Sequence, residues 1–410
     1  MTLLPPRQEI EQGLSQATER FAAELARPLP VAPSWSAFEW QMARAAAILQ
    51  GIGPLLASTL RWSGPTGWQL FLREQRSQTL QRHRDIAAGL EEIEARAVAL
   101  GVALVALKGA ALHALGVYAP GERPMADIDL LVRPVDTERA AQMLASLGYT
   151  QTWVIWKHRI FERGAGAPAA LPPGNHQGYP LKVELHERIV ERLPCSETDI
   201  TALVFPAQPR SGLNPYPATN ALLVHLLLHA TDNMCGRSIR LMHLNDIARL
   251  AAQATMADWE QLLGTLSRLK GLWWAFPPLA MVSRYQPGLL PLDVLDALRC
   301  ACPWPLRSLC EGASLSQMSY ASVSISAFPG LAWCTSPREA VRYVHKRIFP
   351  DSEQLLSRRL VAAERWMEHR PWSQMSQPRR MLQWVLKRPP RQASMYIVRA
   401  ALETPLQIRG

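Results

Sequence analysis

Between residues 36 and 100, apolar side chains recur at spacings of three and four. They run through WSAFEWQMARAAAILQGI and then GWQLFLREQRSQTLQRHRDIAAGLEEIEARAVALG, with Gly or Pro at the joins. That period predicts helices. The texture changes at Val102. VALVAL (102–107) is a short apolar run of β-formers, followed by Lys108–Gly109 and a helical pattern, AALHALGVY. The loop APGERPMA then leads into DIDLLV (127–132), a second predicted strand. TERAAQMLASLGY (137–149) reads as a helix closed by Gly148. WVIWKHRIFE (153–162) and LKVELHER (181–188) are further predicted strands, separated by a Gly- and Pro-rich loop at 164–180. Helical periodicity returns in ATNALLVHLLLHATDN, SIRLMHLNDIARLAAQ and MADWEQLLGTLSRLKGLWWAF, and grows irregular past about residue 330.

This pattern divides the chain into four expected parts. They are a helical N-terminal region (1–98), an α/β core (99–212), a helical domain (213–330) and a basic C-terminal region (331–410). The expected fold class is α/β (α+β), a small mixed sheet with helices packed on it and helical regions on either side.

Charge adds one thing to this picture. There are 44 Lys and Arg against 34 Asp and Glu, a surplus that favours phosphate-bearing partners in general without specifying one. Seven of the cations and one acid, Glu403, fall in the last forty residues, a stretch expected to be solvated surface. The six cysteines form no CxxC pair and have no histidine at zinc spacing, so reduced thiols in a cytoplasmic protein are expected. No basic leader precedes an apolar run, and no stretch has the roughly 18 uncharged apolar residues of a membrane helix.

The candidate chemistry begins with DID. Residues two apart on a strand project from one face, so Asp127 and Asp129 set two carboxylates side by side. Such a pair is unfavourable unless a cation lies between, and Mg2+ binds through one or two carboxylates plus substrate phosphates. Upstream, the strand–Lys108–Gly109–helix sequence would let a nucleotide phosphate approach the backbone, with Lys108 and Arg123 supplying positive charge on either side. Glu184 would add a third carboxylate from a later strand, as a ligand to a second metal or as a general base, and His186 shares its face. His225 and His229, four apart on an apolar helix, share a face; packing there is expected rather than ligation, since no third ligand accompanies them. Arg240, His243 and Asp246, on the next helix, could line the cleft with His229 or form an inter-helix polar network.

The segment LKG…R…DIDLLV, the helix ending in LGY and the VELH strand resemble the uncharacterised nucleotidyltransferase family, within the DNA-polymerase-β-like superfamily. The likeness is most specific over 104–188, with looser echoes in LLVHLLLHATDN…RLMHLNDIARL and VRYVHKRIFP. It implies Gly109 at the superfamily's glycine position, Asp127 and Asp129 as the metal pair and Glu184 as the third acid. Ala110 stands where serine is usual, which removes a hydroxyl contact to phosphate. The step from Gly109 to Asp127 is long, and the third acid is Glu where Asp is commoner.

The implied enzyme is a nucleotidyltransferase that uses Mg2+ (or Mn2+), with an NTP substrate such as ATP. Its acceptor would be a small molecule, peptide or protein. A second reading keeps the site but transfers a phosphoryl or sugar-phosphate unit. A third is a non-catalytic nucleotide-binding scaffold. Nucleic-acid binding through the basic C-terminal region is a less favoured fourth, and no membrane partner is expected.

Overall fold

The computed structural model describes residues 4–164, 179–324, 326–352, Leu355 and 375–403. Most of the Gly- and Pro-rich loop at 164–180 lies outside the described residues.

Eight strands form. They are β1 (Ala103–Ala106), β2 (Asp127–Val132), β3 (Thr150–Val154), β4 (His158–Arg163), β5 (Leu181–His186), β6 (Val190–Arg192), β7 (Glu197–Asp199) and β8 (Gly212–Asn214). Six of them make a mixed sheet in the order β3-β4-β5-β2-β1-β8, and β6 pairs with β7 in a small ribbon. This α+β arrangement, a small mixed sheet flanked by helices, is the fold class that the periodicity predicts. The stretch 153–162, expected as one strand, is instead the end of β3, a turn at Ile155–Lys157 and most of β4. No Gly or Pro marks that turn.

The central pair decides the site. β2 and β5 run parallel with Asp127 opposite Lys182, Asp129 opposite Glu184, and Leu131 opposite His186. β4 runs antiparallel to β5 with Ile160 opposite Glu184 and His158 opposite His186. Directly opposed residues point to the same side of a sheet. One face therefore carries Asp127, Asp129, Lys182, Glu184, His186 and His158.

The other face is apolar. Ile128, Leu130, Val183, Leu185 and Phe161 pack there against the helices Thr66–Leu100 and Thr137–Ser146. In the longer helix Arg82, Ile86, Gly89, Ile93 and Ala97 are buried, a stripe with steps of three and four. Fully burying a side chain such as Ile86 or Ile93 is worth about 1.5–3 kcal/mol. A Cβ at Gly89 would fall 2.7 Å from Leu181 Cδ2, so the glycine permits close helix–sheet approach. Arg82 donates to the carbonyls of Ala126 (2.6 Å), Tyr179 (3.0 Å) and Pro180 (3.0 Å), tying together the starts of β2 and β5. The short helix Thr137–Ser146 is followed by Gly148 at φ +84, the left-handed glycine expected there.

A second, larger core joins chain segments far apart in sequence. It includes Phe21 and Trp68 from the N-terminal helices, Val105 and Leu131 from the sheet, and Leu227 from the helix Thr219–Cys235. Val398 and Ala401, on the helix Gln392–Glu403, also belong to it, against the helix Ala37–Leu49. The described part of the basic C-terminal region is thus not simply solvated surface. Val398 and Ala401 are buried at helical spacing on its last helix, though Leu382, Val385 and Leu386 are exposed; Arg391 lies over the Tyr320 ring at 4.6 Å and donates to Arg237 O at 2.7 Å. No helix among the described residues is long and apolar enough to cross a membrane.

Candidate active site

Asp129 is the centre of the polar face. Its Oδ2 lies 3.1 Å from Lys108 Nζ, and its Oδ1 lies 3.0 Å from His186 Nε2. Burial would raise its pKa, but Lys108 and His186 hold the carboxylate well below its ordinary value. Asp127 is more open, with 32% of its side chain exposed. Burial pushes its pKa up to about 6, reinforced by the charges of Asp129 and Glu184, with Lys182 and Lys108 opposing. Glu184 accepts from Lys182 through Oε1 and turns Oε2 toward the imidazoles, 3.0 Å from His158 Nε2 and 3.9 Å from His186 Nε2. Three carboxylates thus converge beside two ammonium groups.

Lys108 owes its position to the backbone. It sits in the left-handed region at φ +44, an uncommon conformation for a residue with a side chain. Its N–H donates to the hydroxyl of Tyr216 (3.3 Å), which lies 2.8 Å from His225 Nδ1. Burial keeps the His225 imidazole low, at about 3, so a neutral ring shares this hydrogen bond with Tyr216. Burial alone would lower the Lys108 pKa too, but Asp129, Asp127 and Glu184 raise it above its ordinary value. His225 therefore acts through Tyr216 on the lysine's backbone.

Gly109 follows in the short helix Lys108–Ala114. A Cβ there would collide with the Arg123 guanidinium and come within 2.8 Å of Met125 Sδ. The glycine is required by the loop packed over it. Arg123 directs its guanidinium fork at Asp246, with Nε and Nη2 at 2.8 and 2.7 Å from the two carboxylate oxygens. Tyr118 also donates to Asp246 (2.8 Å), and Asn245 donates to the Tyr118 hydroxyl (2.7 Å). Asp246 accordingly belongs to an inter-helix network that fastens the loop before β2.

The remaining expected cleft residues lie elsewhere in the polar framework. His229 meets the His243 ring edge-on at 5.0 Å, and burial holds both imidazoles well below their ordinary values. Arg240 is exposed, with its guanidinium 5.4 Å from the Tyr320 ring centre. Asp127, Asp129, Glu184, His186 and Lys108 are brought together; Gly109 and Arg123 adjoin them.

His158, Lys182 and Tyr216 are site residues that sequence reasoning passed over. Lys182 could have been found, because it lies two residues before Glu184 on the same predicted strand. His158 had no such signal, since only the β4–β5 register brings it to His186. Their rings lie 4.6 Å apart. Burial, with His186 adjacent, drives the His158 pKa down to about 2, so this imidazole is neutral. Its Nδ1 is buried without a partner, leaving half of the ring's hydrogen-bonding capacity unused.

The uncharacterised nucleotidyltransferase family model matches residues 36–284, more than half of the 410-residue chain. The chain belongs to the uncharacterised nucleotidyltransferase family. Neither a curated protein nor a solved structure matches it. The family match spans every residue of the acid cluster and the helices that carry Tyr216's partner His225 and Arg123's partner Asp246. Membership carries the general expectation of nucleotidyl transfer and an NTP substrate.

Proposed function

We propose that this chain is a metal-dependent nucleotidyltransferase that moves a nucleoside monophosphate from an NTP to an acceptor hydroxyl. The observation that carries this reading is the convergence of Asp127, Asp129 and Glu184 on one face of two register-paired parallel strands. Their chemistry fits a hard divalent cation. All three donors are carboxylates, and Asp127 is held near pKa 6 by burial, reinforced by the like charge of Asp129 and Glu184. Mg2+ or Mn2+ held by these acids would offset charge on the triphosphate and polarise the α-phosphoryl group.

The chain's own groups supply positioning and charge, which dominate catalysis of this kind. Asp127 and Asp129 form the rigid acidic edge, and His186 fixes the rotamer of Asp129 through Nε2. Lys108 exchanges its contact with Asp129 for a phosphate oxygen when nucleotide enters. Lys182 balances Glu184, whose carboxylate helps hold a cation or takes the acceptor proton. Gly109 and Arg123 shape the phosphate-facing loop, with Arg123 acting through its clamp on Asp246 rather than as a free cation. In the reaction the acceptor oxygen forms a bond to the α-phosphorus and the bond to the bridging oxygen breaks. The acceptor proton leaves to base or solvent, and pyrophosphate departs. The catalytic unit is the α/β core, 99–212, with the helical domain contributing Tyr216 and the wall that holds Lys108.

Incubating the full chain with candidate acceptors and NTPs labelled separately at the α- and γ-phosphates tests the reading. Transfer of α-label with release of pyrophosphate, abolished in Asp129→Asn, is expected. Transfer of γ-label alone would favour phosphoryl transfer on the same site. Nucleotide binding by the folded protein without transfer of either label would leave a non-catalytic scaffold.

A further inference from the structure

We propose that the cleft has a second cation position, formed by His158, Glu184 and His186 and suited to a first-row transition metal rather than to Mg2+. The inference rests on the nucleotidyltransferase reading only in that Glu184 belongs to both sets. A ring nitrogen of each histidine and a carboxylate oxygen of Glu184 all lie within 4.8 Å of one another. The observed donor separations are 3.0 Å for His158–Glu184 and 3.9 Å for His186–Glu184. Bonds of about 2.0–2.1 Å at tetrahedral angles put ligand atoms roughly 3.3 Å apart, between these two values. Small rotations of the side chains would therefore close the set around an ion.

The elements that hold the donors are rigid. His186 and Glu184 share one face of β5, and His158 stands opposite His186 on β4, all three with little exposure. Lys182 engages the other oxygen of Glu184 and leaves Oε2 directed at the imidazoles. Asp129 Oδ1 lies 3.0 Å from the same His186 Nε2, so the ion would take the place of that contact and leave the Nδ1–H of each ring as the exchangeable proton.

Donor identity selects the ion. Imidazole nitrogen suits Zn2+, Fe2+ and Ni2+, whereas Mg2+ demands oxygen and keeps its waters. Two histidines and one carboxylate leave coordination positions open, as in sites where a metal meets substrate rather than merely staples a fold. An ion here would face the acidic edge of Asp127 and Asp129. The cleft would then pair a hard, all-oxygen position with a nitrogen-containing one through a shared Glu184.

The test uses the full chain without nucleotide. Zn2+ is titrated by calorimetry, and the Co2+-loaded protein is examined by proton NMR. One tight equivalent is expected, with two paramagnetically shifted, exchangeable imidazole N–H resonances that Zn2+ abolishes and a hundredfold excess of Mg2+ does not. His158→Ala and His186→Ala should each remove one resonance. Loss of an outer partner alone costs about 10–100-fold in affinity, so loss of a ligand should weaken Zn2+ binding by at least about a hundredfold. The wild-type spectrum decides even if a variant does not fold. Co2+ bound without shifted imidazole protons, or with both retained in the folded variants, overturns the proposal. Shifted resonances in a protein that transfers no α-phosphate would keep the metal site and reject the nucleotidyltransferase reading. Mg2+-supported transfer without such resonances would do the reverse.

Discussion

Arg123 closes a two-bonded fork on Asp246, a residue 123 positions later, and so bolts the loop before β2 to the helix Leu241–Ala251. Both side chains are nearly inaccessible, at 11% and 2% exposure. Breaking a buried pair by removing one partner typically costs about 3–5 kcal/mol, because the other charge is left uncompensated. Arg123→Ala and Asp246→Ala should each lower unfolding stability by an amount of that order. The double substitution Arg123→Met/Asp246→Leu should recover most of it. Denaturant unfolding of wild type, the two alanine variants and Arg123→Ala/Asp246→Ala closes a double-mutant cycle that measures the coupling. Additive losses would mean that the two residues do not stabilise the chain as a pair.

Asp129→Asn keeps the shape of the side chain but removes the charge that Lys108 contacts and that the proposed divalent cation would share. Nucleotidyl transfer should fall by at least about a hundredfold, the scale on which a single electrostatic contact to the reacting group acts. Far-UV circular dichroism should be unchanged. Wild-type turnover in this variant would exclude the acid pair from the chemistry.

Gly109→Ala should destabilise the protein by about 1–3 kcal/mol, the usual result of forcing a methyl group into a filled space. Met125 can yield but Arg123 is pinned by Asp246, so Gly109→Ala/Met125→Ala should be more stable than Gly109→Ala alone. Thermal melts of both read this out, and equal melting temperatures would show that the loop simply moves.

Stability should depend on pH with two opposed contributions. His158 and His225 titrate near 2 and 3 in the folded chain, against an ordinary 6.5. Between those values the unfolded chain binds more protons, so their contribution to stability rises with pH and is complete above about 6.5. Asp127 works the other way. Its folded value of about 6 exceeds the ordinary 3.8, so its contribution falls as pH rises between the two. Asp127→Asn should therefore gain more stability than wild type between pH 4 and pH 6.5, measured as melting temperature against pH. Parallel profiles would remove Asp127 from the coupled cluster.

The basic C-terminal region can be probed without deletion, which would strip Val398 and Ala401 from the core. Replacing Arg379, Arg380 and Arg388 with Gln should leave α-phosphate transfer unchanged. Random oligonucleotides should bind weakly to wild type and variant alike. Steep salt-dependent binding present only in the wild type would instead support a nucleic-acid partner, since each neutralised phosphate contributes to the salt slope.

Much of the site was legible in advance because it depends on short-range periodicity. A two-residue repeat in DIDLLV is enough to put Asp127 and Asp129 on one face with Ile128 and Leu130 on the other, and the same repeat aligns Glu184 with His186 in LKVELH. Alternation of apolar and acidic residues forces this sidedness, since reversing it would bury two carboxylates in the apolar core. The family likeness rests on these same local strings, and so do the boundaries of β1, β2 and β5.

What joins one strand to another was not legible. That Asp129 stands opposite Glu184, and His158 opposite His186, follows from strand order and register. Neither is written in consecutive residues, because register is settled by how two distant strands and their covering helices bury apolar area together. The turn at Ile155–Lys157 was hidden for a related reason: it lacks Gly and Pro and is held by pairing of the strands on either side. The role of Arg123 changed for the same cause. As a loop arginine it reads as free positive charge, and only the packing of the helix Leu241–Ala251 against that loop supplies Asp246. Sequence by itself determined the candidate acids and which face of each strand they occupy. Tertiary structure alone decided which of them meet, since contacts between distant residues form only when the whole chain has buried its cores.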